Sequence, residues 1–250
     1  MDYYYDGKNY TYEELSKRFA KNQKNEKNNQ DERGKITLQM AEGEKLLDVG
    51  CAAGNLSLRP ADLGFTVHAI DILDESIKVA KEFSSSPKIT YEVRDILKQP
   101  FPEQSFDCIT FLETIEHVEN PALFFHEFHR ILKERGHLIV STPNATSLKN
   151  ILYALSYKKK NKQKRVINEI GSEPKSTGTQ LEHIYNWDFP TLVRLLDRCG
   201  FDVIDNGFAR SGPIVIPFLG KKRQIIKTNS KFLNKFPSLK TTLITKDRKR

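Results

Sequence analysis

Lys45-Leu-Leu-Asp-Val-Gly-Cys-Ala-Ala-Gly54 is the stretch on which the fold of this chain turns. Its first half, Lys45–Val49, is short and apolar and reads as a buried strand; it runs without a break into a loop with glycine at positions 50 and 54. The same grammar repeats downstream. The pattern predicts a helix from about Asn55 to Leu63, a strand Thr66–Ile70, a helix from about Asp74 to Ser84, and strands Ile89–Val93 and Phe106–Phe111. A helix from about Pro121 to Leu132 then leads into the strand His137–Ser141. After a gap of about forty residues, a helix from about Asp188 to Cys199 is stopped by Gly200. Two strands follow, Phe201–Ile204 and Thr241–Thr245, the last read as an antiparallel edge. Apolar strands alternating with helices imply parallel βαβ units covered on both faces. The predicted fold class is therefore α/β, a doubly wound, Rossmann-like, mostly parallel sheet.

A chain of 250 residues suits one domain with an appendage and can bury a sizeable core. Its mean hydropathy is −0.55, and its longest apolar run, Gly212-Pro-Ile-Val-Ile-Pro-Phe-Leu-Gly220, is well short of the roughly 20 residues of a membrane span. The start, Met1-Asp-Tyr-Tyr-Tyr-Asp6, is polar and acidic, unlike a signal peptide. Cys51, Cys108 and Cys199 have no metal-ligand spacing and make no disulfide framework, so the expectation is a reduced, cytoplasmic protein.

Residues 1–35 read as a helical or flexible appendage, with Thr11-Tyr-Glu-Glu14 as a capping box and Tyr12, Leu15 and Phe19 along one face. Residues 36–250 form the main domain, with a lid insertion at 145–182 and a basic C-terminal segment at 221–250. Charge is unevenly divided. Residues 1–157 carry 19 basic and 24 acidic side chains, whereas residues 158–250 carry 21 and 8. The excess falls in Lys158–Arg165 and in the C-terminal segment, which fits either an anionic partner or a solvated face.

In a doubly wound sheet, ligands gather outside the carboxyl ends of the strands, near the point where strand order reverses. Gly50 and Gly54 allow close backbone approach there, but Ala52 and Asn55 break the G-x-G-x-x-G spacing of a pyrophosphate cradle. Asp71 ends the second strand, where a carboxylate can accept both hydroxyls of a ribose. Asp95, in Val93-Arg-Asp-Ile96, can receive an amino group of a base.

These residues resemble the class I S-adenosylmethionine-dependent methyltransferases. Asp48–Gly54 is similar to the family's D-x-G-x-G-x-G motif, with Ala52 in place of the middle glycine. Asp71 corresponds to its ribose-binding acid and Arg94-Asp95-Ile96 to its adenine-side motif; Phe106–Thr110 and Leu132–Val140 correspond to its fourth and fifth strands. The resemblance covers roughly residues 40–205 and implies S-adenosylmethionine as cofactor. Asp48 and Gly50 would lie at its amino-acid end and Asp71 and Asp95 on the adenosine, with Cys51, Ala52, Gly54, Ile72, Ile96 and Leu112 completing the set. Two departures stand out. Pro60 interrupts the predicted first helix, where it should kink it, and Glu134-Arg135 replaces the usual Pro-Gly before Gly136.

Glu113-Thr-Ile-Glu-His117 follows the fourth strand directly, and its i, i+3, i+4 spacing places Glu113, Glu116 and His117 on one side of a helical turn. Three readings stand side by side: the group positions cofactor and substrate, His117 is a general base, or Glu113, Glu116 and His117 bind a divalent metal with His183. The Glu-x-x-Glu-His pattern is similar to that of ubiquinone-pathway O-methyltransferases and of small-RNA 2′-O-methyltransferases. On the substrate side, Asn144 either bonds the acceptor or caps the next helix, and His183 and Tyr185 complete the expected wall. His68, in an apolar strand, reads as a core residue. The group that includes the ubiquinone enzymes implies O-methylation of a small-molecule, lipid-linked or sugar hydroxyl, with an anionic acceptor suiting the basic lid. The alternatives are an RNA 2′-O-methyltransferase and a non-catalytic binding module of the same fold.

Overall fold

A computed structural model describes residues 32–148, 150–151, 183–209 and 237–250, together with the backbone of residues 3–5, 8–10, 214–215 and 225–226. The capping box at 11–14, the face of Tyr12, Leu15 and Phe19, and the basic run Lys158–Arg165 lie outside the described residues, as does most of the lid segment 145–182.

A helix α1 (Glu32–Met40) precedes β1 (Lys45–Val49), α2 (Leu58–Asp62), β2 (Thr66–Asp71), α3 (Asp74–Phe83), β3 (Ile89–Val93) and β4 (Phe106–Leu112). A 3-10 turn, Ile115–His117, leads to α4 (Pro121–Ile131), β5 (Leu132–Pro143), α5 (Phe189–Arg198), β6 (Phe201–Ala209) and β7 (Thr242–Lys249). The seven strands form one sheet in the order β3-β2-β1-β4-β5-β7-β6. The first five run parallel, and β7 pairs antiparallel with both β5 and β6. Strand order reverses beside β1, so the crevice opens where Val49 and Leu112 end their strands.

Period-2 alternation builds the core on both faces. Leu47, Val49, Ile109, Phe111, Leu138 and Val140 pack on one side against Phe125 and Phe128 of α4 and Leu192 and Leu196 of α5. Leu46, Val67, Ala69, Cys108 and Ile139 pack on the other against Met40, Ala61, Ile77 and Ala80. No helix among the described residues is long and apolar enough to cross a membrane.

Four expectations change. Helix α2 starts at Leu58, three residues later than predicted, so Pro60 falls in its first turn. Amide hydrogens there have no intrahelical partner in any case, and the proline costs no helical bond. Strand β5 begins at Leu132 rather than His137: Leu132 pairs with Phe106 and His137 with Cys108, so the residues between form a bulge, with Arg135 at φ +61°. Glu134-Arg135 thus supplies the left-handed turn that the expected glycine would have made. Strand β7 is antiparallel but internal. Its residues Thr242–Asp247 are all buried, while β6 takes the edge and carries the exposed Asp205 and Asn206 there. Finally, α1 runs across position 35, and its buried Gly34, Thr37 and Met40 make it part of the packed domain.

Candidate functional site

The chain leaves β1 through a tight loop. Gly50 (φ +75°) and Cys51 both donate their amide hydrogens to the carbonyl of Ile70, at 2.9 and 3.0 Å. A Cβ on Gly50 would stand 2.5 Å from Thr114 Oγ1, and one on Gly54 (φ +75°) would stand 2.8 Å from two ring carbons of Tyr91. Both glycines are therefore required by conformation and by space. Ala52, in place of the middle glycine, keeps the left-handed backbone at φ +46°. Alanine there costs about 1 kcal/mol, so Ala52→Gly is expected to raise the melting temperature by about 2 °C in thermal denaturation, given the usual 2–4 °C per kcal/mol at this size.

Asp48, expected at the cofactor, is turned inward. It is 4% exposed, accepts hydrogen bonds from Ser57 Oγ at 2.5 Å and Thr110 Oγ1 at 2.9 Å, and burial raises its pKa. Its side chain staples the loop to β4 and the start of α2. The Cys51 thiol is also buried, and burial pushes its pKa up, which makes it unreactive.

Asp71 and Asp95 lie one and two strands away. Asp71 Oδ2 accepts from the Ala52 amide and Oδ1 from the Leu73 amide, both at 2.9 Å, so this carboxylate fixes the two loops to each other. Each oxygen keeps a lone pair, and the residue is partly exposed. The Arg94 amide donates to the Asp71 carbonyl at 3.0 Å, which brings Asp95 alongside. Asp95 accepts from the Leu97 amide and pairs with Lys98 at 3.0 Å; that ammonium holds its carboxyl below the ordinary range. Ile72, beside Asp71, is 70% exposed, and Leu73 and Leu97 are also exposed, whereas Ile96 and Leu112 are buried. Two carboxylates flanked by uncovered apolar side chains suit a ligand that is flat and apolar in one part and rich in hydroxyls in another.

Across the crevice, Glu113 is held at φ +50°, an uncommon conformation for a non-glycine residue. Its amide donates to the Ser141 carbonyl at 2.8 Å and its carboxylate accepts from Ser141 Oγ at 2.9 Å. Arg33, from the first turn of α1, lies 3.7 Å from the same carboxylate. Glu116 is 1% exposed and accepts from Thr142 Oγ1 at 3.2 Å. Burial, helped by the charge of Glu113, pushes its pKa up to about 8. Ser141 and Thr142 are consecutive in a strand and point to opposite faces. They therefore hold apart the two carboxylates that the sequence placed together: Glu113 lies with Arg33 of α1, and Glu116 with His117 and His183.

Glu116 keeps different company. The Ile184 amide donates to its carbonyl at 2.8 Å, and Tyr185 Oη donates to the Glu119 carbonyl at 2.8 Å, which lays residues 183–187 over the 3-10 turn. His183 and His117 meet edge to face with ring centroids 4.8 Å apart, and His117 Nε2 is 4.0 Å from Glu116 Oε1. Ligand atoms of Glu116, His117 and His183 all fall within 4.8 Å of one another, and Glu113 is outside that group. His117 is 43% exposed and is the member open to a bound molecule.

Asn144 is fully engaged with its own chain. Its Nδ2 donates to the carbonyls of Pro237 and Lys240, and its Oδ1 accepts from the Thr146 amide and hydroxyl. The side chain ties the turn after β5 to the segment before β7, and it is Ser147 Oγ that accepts from the Asn150 amide at the start of the next helix. His68 pairs with Glu92 at 2.8 Å and packs edge-on against Phe101. Arg33, Ser57, Thr110 and Thr142 were missed in sequence: Ser57 meets Asp48 across the glycine loop, and the other three meet partners distant in the chain.

The Glu116 carboxyl makes stability depend on pH in a stated direction. Its folded pKa lies above the ordinary 4.5, so the native state holds a proton that the unfolded chain releases. The contribution is complete below pH 4.5 and is lost as pH rises toward about 8. Glu116→Gln is therefore expected to be more stable than the parent at pH 8.5 by about 4–5 kcal/mol, at 1.36 kcal/mol per unit, with the difference vanishing near pH 4.5, as measured by urea denaturation across pH.

Comparison with known proteins accords with this geometry. Residues 47–140 match the family Methyltransf_11, described as a methyltransferase domain. A "Ubiquinone biosynthesis O-methyltransferase" of Glaesserella parasuis is 39% identical over 112 residues, 42% of this chain and 48% of the relative. The matched segment spans about half the length of the curated relatives. Among solved structures, a putative methyltransferase of Bacillus halodurans superposes with a TM-score of 0.59 at 20% identity, over 87% of this chain and 98% of the other. The N-methyltransferase NodS of Bradyrhizobium japonicum, in complex with S-adenosyl-L-homocysteine, superposes with a TM-score of 0.55 at 15% identity, over 87% and 86%. Residues 47–140 thus match a methyltransferase-domain family and are similar in sequence to the ubiquinone biosynthesis O-methyltransferases, on a fold shared with solved methyltransferases.

Proposed function

We propose that this chain transfers a methyl group from S-adenosylmethionine to a hydroxyl of a small-molecule, lipid-linked or sugar acceptor. The observation that carries this reading is the facing of two half-sites across the sheet's carboxyl end. One is the loop 50–54 with Asp71 and Asp95; the other is the Glu116–His117–His183 group. The donor set suits the cofactor. Asp71 and Asp95 offer acceptors for ribose hydroxyls and a base amino group, exposed Ile72 and Leu97 offer apolar surface for the base, and Arg33 offers a cation toward a carboxylate.

The chemistry supplied by S-adenosylmethionine, when bound, is a methyl group on a sulfonium, already electrophilic. The protein's task is to align the acceptor oxygen and exclude water. As the new C–O bond forms, the hydroxyl must lose its proton. His117, exposed at the mouth with Glu116 behind it, is the imidazole placed to receive it. Exposed Leu148, Ile151 and Ile184 suit an acceptor with an apolar portion.

A second reading follows from the spacing of Glu116, His117 and His183. One carboxylate and two imidazoles are a donor set for a divalent transition metal, which would lower the pKa of an accepting hydroxyl. A labelled-methyl transfer assay across quinol, sugar, lipid and RNA pools, run with and without a chelator, tests acceptor class and metal dependence together. Calorimetry with S-adenosylhomocysteine tests the cofactor separately; no binding up to millimolar ligand would sink the enzyme reading.

A further inference from the structure

Lys240 and Lys246 tie the two ends of α1 to the C-terminal strand. Lys240, its side chain 3% exposed, pairs with Glu32, the first residue of the helix. Lys246, 8% exposed, pairs with Glu42, two residues beyond the last. An ammonium so deeply buried is tolerated only when paired, so each pair fixes a definite point of the helix to the sheet.

The two ties sit at opposite ends of α1. Lys246 is opposite Ile139 in the β5–β7 register, in the middle of β5, and His137 on the same strand also faces Glu42 at 3.8 Å. Lys240 lies at the carboxyl end, just before β7 enters the sheet opposite Pro143. There its carbonyl accepts from Asn144 Nδ2 at 3.1 Å, and the Asn144 amide donates to the Thr241 carbonyl at 2.8 Å. Asn144 follows the strand end whose Ser141 and Thr142 hold Glu113 and Glu116. Glu32, in turn, immediately precedes Arg33, which reaches Glu113. Lys240 therefore holds the start of α1 by its side chain and the end of β5 by its carbonyl.

We propose that Lys240 is a positioning residue for the cofactor: through Glu32 it sets the first turn of α1, and with it Arg33, against the mouth of the site. The proposal rests on the reading of the chain as an S-adenosylmethionine-dependent methyltransferase. Lys246→Met is the matched control, since it removes an equally buried ammonium from the far end of the same helix.

Lys240→Met is expected to weaken S-adenosylhomocysteine binding about tenfold, the loss of one charge-assisted contact, and to speed amide exchange in the first turn of α1. Lys240→Arg should recover most of that binding. Lys246→Met should lose comparable thermal stability yet bind within about twofold of the parent, because its tie lies beyond the last turn of α1. Should Lys240→Met not fold, Glu32→Gln keeps an acceptor opposite the lysine and gives a milder version of the same loss. Unchanged binding in Lys240→Met, or an equal loss in Lys246→Met, would overturn the proposal. If the parent itself binds no S-adenosylhomocysteine, the functional reading fails and amide exchange decides alone. Opening confined to the first turn in Lys240→Met and to the last turn in Lys246→Met supports the tie, and uniform opening in both rejects it.

Discussion

Replacing His117 by alanine is expected to lower kcat by about 100- to 10,000-fold, the usual range for a positioned acid–base group, while leaving S-adenosylhomocysteine affinity within about twofold. The separation of the two effects follows from the architecture. His117 stands exposed on the 3-10 turn after β4, whereas Asp71 and Asp95, the acids proposed for the adenosine, lie at the ends of β2 and β3. Single-turnover transfer and calorimetry on the same preparation check both halves. A kcat within tenfold of the parent would remove His117 from the proton path and leave it a positioning role. Metal content measured alongside separates a lost base from a lost ligand, because His117 belongs to the group that could hold a divalent ion.

Asp71→Asn is expected to weaken cofactor binding at least about 100-fold, since hydrogen bonds to a charged acceptor contribute about 1.5–3 kcal/mol each and two or more are at stake. The substitution is nearly isosteric, yet it replaces one acceptor oxygen by an amide donor. Either the Ala52 or the Leu73 amide then faces another donor. The carboxylate thus carries two duties: it orders the glycine loop from behind and presents acceptors in front. Titration calorimetry with S-adenosylhomocysteine checks the affinity, and amide exchange at residues 50–54 checks the loop. A dissociation constant within fivefold of the parent would place the ribose elsewhere.

The alternation of apolar runs with helical segments was sufficient for the α/β class, because a strand buried on both faces must be apolar throughout and a helix covering it must be amphipathic. The same local logic located the glycine loop and the acids at 71 and 95. It went wrong where partners lie far apart in the chain. Pro60 reads as a kink only if the helix starts at Asn55; in the fold it starts at Leu58. Thr241–Thr245 reads as an edge by its position in the chain, yet β7 inserts between β5 and β6, and its buried Asp247 keeps a raised pKa there. Glu113, Glu116 and His117 read as one cluster by helical spacing. A left-handed residue at 113 and a single 3-10 turn divided them instead.

By itself, then, the sequence determined the layered α/β fold and the glycine loop, since both follow from periodicity and from residue types a few positions apart. It also named the carboxylates at the ends of β2 and β3, because strand ends in this fold are where such groups are accessible. Only the tertiary structure decided which carboxylate faces which side. Ser141 and Thr142 point to opposite faces of β5 and take Glu113 and Glu116 with them. It alone brought His183 to Glu116 and His117 across 66 residues, and Arg33 and Lys240 to the mouth from opposite ends of the chain. Those contacts depend on strand order and register, which no local pattern encodes.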